Sequence, residues 1–431
     1  MIEAGLLWAF VAAFIFAMLA RRLASSVLTA PIYFIALGLL LAKVGWIELE
    51  AAEQTLHLVA EATLVVLLFL DASQIDLRQL KKHHVWPQRM LMLGLPLSVL
   101  IGTFVAGLIL PDWPLVALAL VAAILAPTDA ALGQSVVTNE AVPQSVRRGL
   151  TVESGLNDGM ALPLILLFAS LVGEVDGRGT QDWIAFGFAQ ILLGPLAGII
   201  VGWVGAVIML RAVRHKLTSA SFEGIAALSL AAIAYLAAGE IGGNGFISAF
   251  VAGLTFGNCV KGRCKFLFEF AESEGQLFMW AAFFLVGLVL VPEALENLTW
   301  PIFGLIMLSL FLVRPLAIWL SLIGTKTAAS TKLFMGWFGP RGLATALFAL
   351  LILPQIGGEY EEIILAIAIN AVWISAILHG VSATPLSKLY GNSVSNMGSC
   401  AEQEPVPMPF ETDSPTISEP KTSDQTGETH D

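Results

Sequence analysis

The sequence has few charged residues and very few cysteines. Asp, Glu, Lys and Arg make up 13% of its 431 residues, whereas an ordinary soluble domain carries roughly a quarter. This composition excludes an ordinary water-soluble globule. The three cysteines, Cys259, Cys264 and Cys400, lack the paired spacing of a zinc site and are predicted to face a reducing compartment, so neither a disulfide nor zinc is expected.

Apolar residues make up 57% of the chain instead, in runs close to the length that crosses a bilayer. These runs predict an all-α polytopic membrane protein with about thirteen transmembrane helices. The ninth run is short and flanked by glycines, but the alternating charge of the loops favours a separate crossing. The predicted spans are 5–20, 27–41, 56–70, 90–110, 114–137, 149–172, 183–210, 222–238, 245–257, 275–291, 300–322, 333–353 and 363–378.

Lysine and arginine are concentrated in alternate loops, beginning with Arg21 and Arg22, and the remaining loops are acidic. Because basic loops stay in the cytoplasm, this predicts an outside N-terminus and a cytoplasmic C-terminus. The first span has no small-residue cleavage site, so we expect a retained helix. The transmembrane domain is predicted at 1–388, followed at 389–431 by an acidic segment too polar to fold, a disordered cytoplasmic tail.

Two spans at matching positions contain a backbone breaker beside a charge. Pro127 and Asp129 interrupt the fifth span, and Gly339, Pro340 and Arg341 open the twelfth. Taken singly, Pro127 is explained equally well by a simple helix kink, and Gly339-Pro340 equally well by a helix start at the interface. Together they predict inverted repeats, spans 4–6 and 11–13, whose broken helices cross at an ion site.

A second group of polar residues follows the first break within about one helix length. Ser154 and Asp158 are four residues apart and therefore share a helix face. Opposite the unwound backbone at Thr128 and Asp129, they would gather oxygen atoms around a small hard cation such as Na⁺. The alternatives are a buried hydrogen-bonded contact for Asp158 and, for Asp129, an N-cap on the half-helix after Pro127.

The other ionisable residues inside the spans need partners. We expect Glu153 to pair with Arg341, because an unpaired buried charge costs far more than a paired one. Arg314 cannot release a proton near neutral pH, so it can balance a carboxylate but cannot relay protons. Asp71 is compatible equally with an ion funnel and with a loop contact, and Glu61 lies on the same span.

His379 ends the last predicted span. A histidine at that position is more often a satisfied interfacial residue than a pH sensor.

The spaced motifs resemble those of NhaP-type sodium/proton antiporters in the monovalent cation:proton antiporter superfamily. The resemblance covers roughly residues 5 to 385. The motifs are Ala126-Pro127-Thr128-Asp129-Ala130, Glu153-Ser154-Gly155-Leu156-Asn157-Asp158-Gly159, Arg314-Pro315 and Gly339-Pro340-Arg341-Gly342, with Gly242-Gly243-Asn244-Gly245-Phe246 and Leu378-His379-Gly380.

This resemblance implies a homodimer in which each protomer has a dimerisation domain and a six-helix transport bundle working by elevator-like alternating access. The implied ion ligands are Asp158, Asp129, Ser154 and the main chain of Thr128. Asn157 would support the site, and Glu153 would bridge to an arginine, here Arg341. Arg314, a permanent charge in the core, is a further supporting residue. The Asn157-Asp158 pair, where electrogenic relatives carry two aspartates, is the marker for one-to-one exchange. The chain lacks the glycine often found near Asp71 in relatives, which leaves the role of that residue open.

The expected function is electroneutral exchange of Na⁺ or Li⁺ for H⁺ across a bacterial-type inner membrane, with membrane lipid as a partner, no organic cofactor and no nucleic-acid partner. The nearest alternative is a K⁺/H⁺ antiporter of the same fold. A remote alternative is an intramembrane aspartyl protease that uses Asp129 and Asp158 as an acid/base dyad. The Gly-x-Gly-Asp motif of such proteases is absent from this sequence. A third is a channel-like or sensory protein that binds cations without exchanging them.

Overall fold

The described part of the protein is built of helices joined by short turns. A computed structural model describes residues 2–23, 28–45, 49–78, 85–129, 132–173, 180–260, 266–356 and 360–397, together with Glu402. In chain order the helices are α1 (Ile2–Leu23), α2 (Ala30–Val44), α3 (Leu49–Ser73), α4 (Val85–Ile109), α5 (Leu115–Ile124), α6 (Gln134–Val137), α7 (Gln144–Val172), α8 (Thr180–Arg214), α9 (Ala220–Glu240), α10 (Gly245–Val260), α11 (266–296), α12 (Trp300–Ser321), α13 (Ala329–Trp337), α14 (Leu343–Ile356) and α15 (Glu361–Ser395).

Among the described residues, eight helices are long and apolar enough to cross a membrane, judged by length and composition: α3, α4, α7, α8, α9, α11, α12 and α15. The shorter apolar helices are α1, α2, α5, α10 and α14. Each predicted span overlaps one of these helices, and the fifth and twelfth each correspond to a pair, α5/α6 and α13/α14. The all-α membrane fold predicted from the sequence is confirmed, while the exact number of crossings stays a prediction.

The helices around the two breaks fall into matching triplets. Helix α4 contains a π-helical turn at Met90–Gly94, and α12 contains one at Ser309–Val313. Each is followed by a broken helix and then by a long helix, α7 or α15. A π turn inserts an extra residue into the helix and so rotates the side chains that follow it. In α12 the next residue is Arg314.

Helix α10 packs closely against α3 and α8 through small residues. A side chain at Gly253 would overlap the backbone of Phe69, and one at Gly257 would overlap the backbone of Ser73. Such close backbone approach, which needs small residues at the contact, is the usual way in which membrane helices associate. The separate ninth crossing predicted from the loop charges is therefore a distinct, tightly packed helix.

The last helix is longer than predicted. Helix α15 extends to Ser395, so the prediction of disorder from residue 389 is wrong at its start. Residues Ala383, Ser387, Tyr390 and Val394 are buried on one stripe of α15, and Phe334 stacks on Tyr390 at 4.1 Å between ring centroids. This packing holds the helix together beyond the hydrophobic run.

Some predictions concern residues that the structure does not describe. The rest of the predicted tail, residues 398–401 and 403–431, lies outside the described residues, as do Cys264 and Cys400. Cys259 is exposed and is not in a disulfide.

Candidate functional site

The two broken helices cross and hydrogen-bond directly to each other. The amide of Asp129, in the first break, donates to the carbonyl of Pro340 in the second at 2.9 Å. The Asp129 carboxylate accepts from the amide of Leu343, the first residue of α14, at 2.9 Å. Asp129 therefore acts as an N-cap, which was one of the alternatives predicted from the sequence. It caps α14, the half-helix of the other repeat, and not the half-helix after Pro127.

Arg341 reaches in the opposite direction, from the second break to the first. Its guanidinium donates to the carbonyls of Ala126 and Pro127 at 2.7 and 3.2 Å, where α5 has ended and its C-terminal carbonyls lack helical partners. Its amide donates to Ser375 of α15 at 2.8 Å. The side chain is 1% exposed. A positive charge therefore lies at the negative end of α5 and a negative charge at the positive end of α14.

The expected pairing of Glu153 with Arg341 is wrong. Glu153 pairs with Arg314, whose two terminal nitrogens donate to the two carboxylate oxygens at 3.0 and 2.9 Å. Both side chains are almost fully buried, and a planar guanidinium holds a carboxylate best in this bidentate form. The π turn that ends at Val313 positions Arg314 towards α7. The guanidinium of Arg341 instead donates its hydrogen bonds to the backbone carbonyls at the end of α5. Gly339 leaves the space that the Arg314 guanidinium fills.

The hydroxyl of Thr128 connects the first break to α7. It accepts from the Asn157 amide nitrogen at 2.5 Å, lies 3.1 Å from the Ser154 hydroxyl and donates to Glu153 at 3.4 Å. A hydroxyl has one proton and two lone pairs. If Thr128 donates to Glu153, Ser154 must be its second donor, and the lone pairs of Ser154 are left for another ligand.

Asp158 lies one helical turn after Ser154 and contains an oxygen without a partner. Its Oδ1 atom is buried and accepts no hydrogen bond from the residues that the structure describes, and the same holds for Oδ1 of Asn157. The residue as a whole is partly exposed. A buried oxygen without a donor is costly, and a carboxylate beside neutral oxygens is the donor set of a hard cation. This arrangement fits a transported cation at Asp158.

Asp71 lies on α3, opposite the same part of α7. Its backbone carbonyl faces Gly155, and its carboxylate interacts electrostatically with Asp129 and Asp158. The carboxylates of Asp129 and Glu153 also act on Asp158 by like-charge repulsion. Among the described residues, no three or more His, Cys, Asp or Glu side chains form a metal-binding group by themselves. The site therefore combines separated carboxylates with hydroxyl and amide groups.

His379 and Glu61 both have hydrogen-bond partners. Nε2 of His379 lies 2.8 Å from the carbonyl of Trp337, and Nδ1 lies 3.1 Å from the hydroxyl of Ser375, which can donate to it. The ring is buried in the core and stacks on Trp337, so it is a satisfied histidine, as expected. Glu61 accepts a hydrogen bond from Tyr235 of α9.

Sequence reasoning missed two polar partners around the second break. Ser375 bonds the backbone of Arg341, and Ser309 lies 3.4 Å from the Arg341 guanidinium. Ser375 and His379 are four residues apart on α15, which is a helical-face signal like that of Ser154 and Asp158. Ser309 gives no such signal, because the π turn determines where it points.

Known proteins resemble this chain in sequence and in fold. In sequence it is 29% identical over 274 residues to the K(+)/H(+) antiporter NhaP2 of Shewanella sp. (strain MR-4), covering 63% of this chain and 46% of that one. It is 28% identical over 209 residues to the Na(+)/H(+) antiporter 2 of Zygosaccharomyces rouxii, covering 46% and 25%. The chain thus aligns with less than half of the length of these relatives.

The fold matches a solved structure over nearly its whole length. The sodium proton antiporter MjNhaP1 of Methanocaldococcus jannaschii superimposes with a TM-score of 0.74 at 21% identity, covering 90% of this chain and 98% of that one. A family model described as the transmembrane sodium/hydrogen exchanger matches residues 9–389. With crossed broken helices at its centre, the chain belongs to the transmembrane sodium/hydrogen exchanger family.

Proposed function

We propose that the protein exchanges Na⁺ or Li⁺ for H⁺ across the membrane, with both ions using Asp158 in turn. The observation that carries this proposal is the buried, unpartnered Oδ1 of Asp158 on the helix facing the crossed breaks. The ligands would be Asp158, Asp129, Ser154 and Thr128. Of the neighbouring acids, Glu153 is neutralised by Arg314, whereas Asp129 would bind the cation in addition to capping α14.

Exchange at a single carboxylate is electroneutral. If Asp158 leaves one side with Na⁺ and returns with H⁺, each half-cycle moves the same net charge, so the membrane potential does not drive transport. Asn157 supports this assignment because it adds no second charge and its amide donates to Thr128. The transmembrane Na⁺ and H⁺ gradients alone would then drive the exchange.

Potassium is the second candidate cation. Two of the similar proteins, from Shewanella sp. (strain MR-4) and Alkalimonas amylolytica, are K(+)/H(+) antiporters by name. K⁺ is larger than Na⁺ but is also bound by oxygen atoms, so the same residues would serve. The choice between the two ions depends on the size of the coordination shell at Asp158.

The transport movement that we propose is of the elevator type in a homodimer. The triplets α4–α7 and α12–α15 contain both breaks, Asp158 and every contact between the broken helices. These helices would move as one six-helix bundle, while α3 and α10, with their tightly packed glycines, would belong to the stationary part. Asp71 on α3 would then face the bundle at the cation path.

The decisive experiment is alkali-cation exchange by purified protein in proteoliposomes. A pH gradient is established, Na⁺, Li⁺ or K⁺ is added outside, and the collapse of the gradient is followed with a pH-sensitive dye. We expect Na⁺ and Li⁺ to collapse the gradient and Asp158→Asn to abolish the response. Asp112→Asn, a change at an exposed loop acid, is the matched control. Exchange that survives in Asp158→Asn would refute the carrier role.

Electroneutrality has its own measurement in the same vesicles. A potassium gradient with valinomycin imposes a membrane potential, and the rate of Na⁺-driven proton movement is compared at both signs of that potential. We expect equal rates. A rate that follows the potential would exclude one-to-one exchange but would still be compatible with antiport. In a separate measurement without valinomycin, a pH response to K⁺ but not to Na⁺ would favour the potassium exchanger.

A further inference from the structure

Glu402 lies beyond the last helix yet is among the most deeply buried charged residues. It is 1% exposed. Its carboxylate accepts a hydrogen bond from the amide of Ala328 and another from the hydroxyl of Thr331, each at 2.9 Å. Both donors belong to the start of α13, the first half of the second broken helix. The acidic C-terminal segment therefore contributes a residue to the core of the fold.

Helix α13 lacks a capping side chain of its own. The N-cap position is Ala328, whose side chain has no oxygen and makes no capping hydrogen bond. The first amides of a helix need an acceptor and attract negative charge. Glu402, 74 residues further along the chain, provides both. Because α13 runs from this end to the break at 338–342, the cap holds one end of the segment that carries Arg341.

The same residue contacts the helix that carries Asp158. The backbone carbonyl of Glu402 accepts from the Ser145 hydroxyl at 2.5 Å, and Ser145 is the second residue of α7. Thr331 also lies 2.9 Å from the hydroxyl of Tyr390 on α15. One residue therefore joins the starting ends of α7 and α13 next to α15. These are three of the helices that build the ion site.

From these contacts we infer that Glu402 is a positioning residue for cation exchange, which keeps α7 and α13 at a fixed spacing so that the crossed breaks stay aligned during transport. This inference rests on the proposed function. Ser145 and Asp158 are thirteen positions apart in the sequence, about 20 Å along a helix, so Glu402 does not touch the ion. The hydrogen bonds described above join Glu402 to helices of the proposed bundle, so we expect it to stiffen that bundle.

The test compares Glu402→Ala and Glu402→Gln with Glu404→Ala in the full-length protein. The Glu404 change removes the same charge two residues further on and is the matched control. In proteoliposomes we expect Glu402→Ala to lower the maximal exchange rate at least fivefold and to change the cation KM less than twofold. Glu402→Gln should retain most of the rate, because its amide oxygen can accept both hydrogen bonds. Glu404→Ala should behave as wild type.

A second measurement is independent of transport. Hydrogen–deuterium exchange of the peptide that covers residues 328–333 should rise in Glu402→Ala and not in Glu404→Ala, because only the first change removes the cap. This readout stands even if the wild-type protein exchanges no cation, so failure of the proposed function and failure of this inference are distinguishable.

Four outcomes would overturn the inference. They are an unchanged rate, a raised rate, an equal loss in Glu404→Ala, and unchanged deuterium uptake at 328–333 in Glu402→Ala. Should Glu402→Ala not accumulate, Ser145→Ala decides the question, since it removes only the contact between α7 and the carbonyl of residue 402. A lowered maximal rate with an unchanged KM in Ser145→Ala supports the inference, and a wild-type rate contradicts it.

Discussion

Asp129 caps a helix that begins 214 residues later in the sequence, through the hydrogen bond from the Leu343 amide to its carboxylate. In the same crossing Arg341 bonds the carbonyls that end α5. Each repeat thus supplies the charge that stabilises the broken helix of the other. The two repeats are therefore linked at the proposed ion site, so a change in one break is expected to disturb both.

The cap predicts a separation between stability and transport at residue 129. Asp129→Ala should lower the free energy of unfolding by about 1 kcal/mol, because Ala is a poor N-cap, whereas Asn caps as well as Asp. Asp129→Asn should therefore keep the wild-type melting temperature in detergent but raise the cation KM, because a negatively charged ligand is lost. A wild-type KM in Asp129→Asn would mean that Asp129 only caps α14 and does not bind the cation.

The buried pair of Glu153 and Arg314 predicts strong coupling between these two residues. Removing one partner leaves a buried charge alone and should cost about 3–5 kcal/mol. Glu153→Gln combined with Arg314→Met should be less harmful than the sum of the single changes, with a coupling of about 1–3 kcal/mol. Thermal unfolding of the four proteins measures this.

The comparison cycle uses Glu153→Gln with Arg341→Lys. Arg341 bonds carbonyl groups instead of Glu153, so this cycle should give a smaller coupling than the cycle with Arg314. Equal coupling in the two cycles would mean that the carboxylate is shared between both arginines.

The sequence located both breaks but could not pair the charges between them. Pro127 and Gly339-Pro340 are local signals, because proline and glycine interrupt a helix wherever it lies. The partner of Glu153 depends instead on the rotation of α12 at its π turn, which places Arg314 towards α7. Hydropathy does not indicate such a turn. From the sequence, Arg314 and Arg341 were therefore equally possible partners for Glu153, and the predicted partner, Arg341, was the wrong one.

The end of the last helix was misplaced for a related reason. Hydropathy falls after Leu378, which ended the predicted span, but Ala383, Ser387, Tyr390 and Val394 continue at helical spacing and are buried. Periodicity would have extended the helix. No pattern in the sequence pointed to Glu402, since a single glutamate in an acidic segment carries no signal of burial.

Competition for Asp158 predicts how exchange depends on pH. As the pH falls, a larger share of Asp158 carries a proton and fewer sites are open to the cation, so the apparent KM for Na⁺ should rise. Where the proton dominates, the rise is about tenfold per pH unit for one proton released per ion bound. Saturating Na⁺ should restore the rate on the acidic side. Initial rates measured over a grid of pH and Na⁺ concentration, with equal pH on both sides, test this, and a pH-independent KM would exclude a shared site.

Gly342, in the second break, and Gly304, on α12, predict opposite effects of the same substitution. A methyl group at Gly342 would occupy the position of the Asp129 carboxylate, whereas a methyl group at Gly304, on α12, meets no atom within 4 Å. Gly342→Ala must therefore displace Asp129, lose the cap on α14 and separate the two breaks. We expect it to abolish exchange, while Gly304→Ala exchanges at the wild-type rate. Both proteins should be compared at equal reconstituted amounts, with the melting temperature as a check on folding. Wild-type exchange in Gly342→Ala would show that transport does not need the contact between Asp129 and the start of α14.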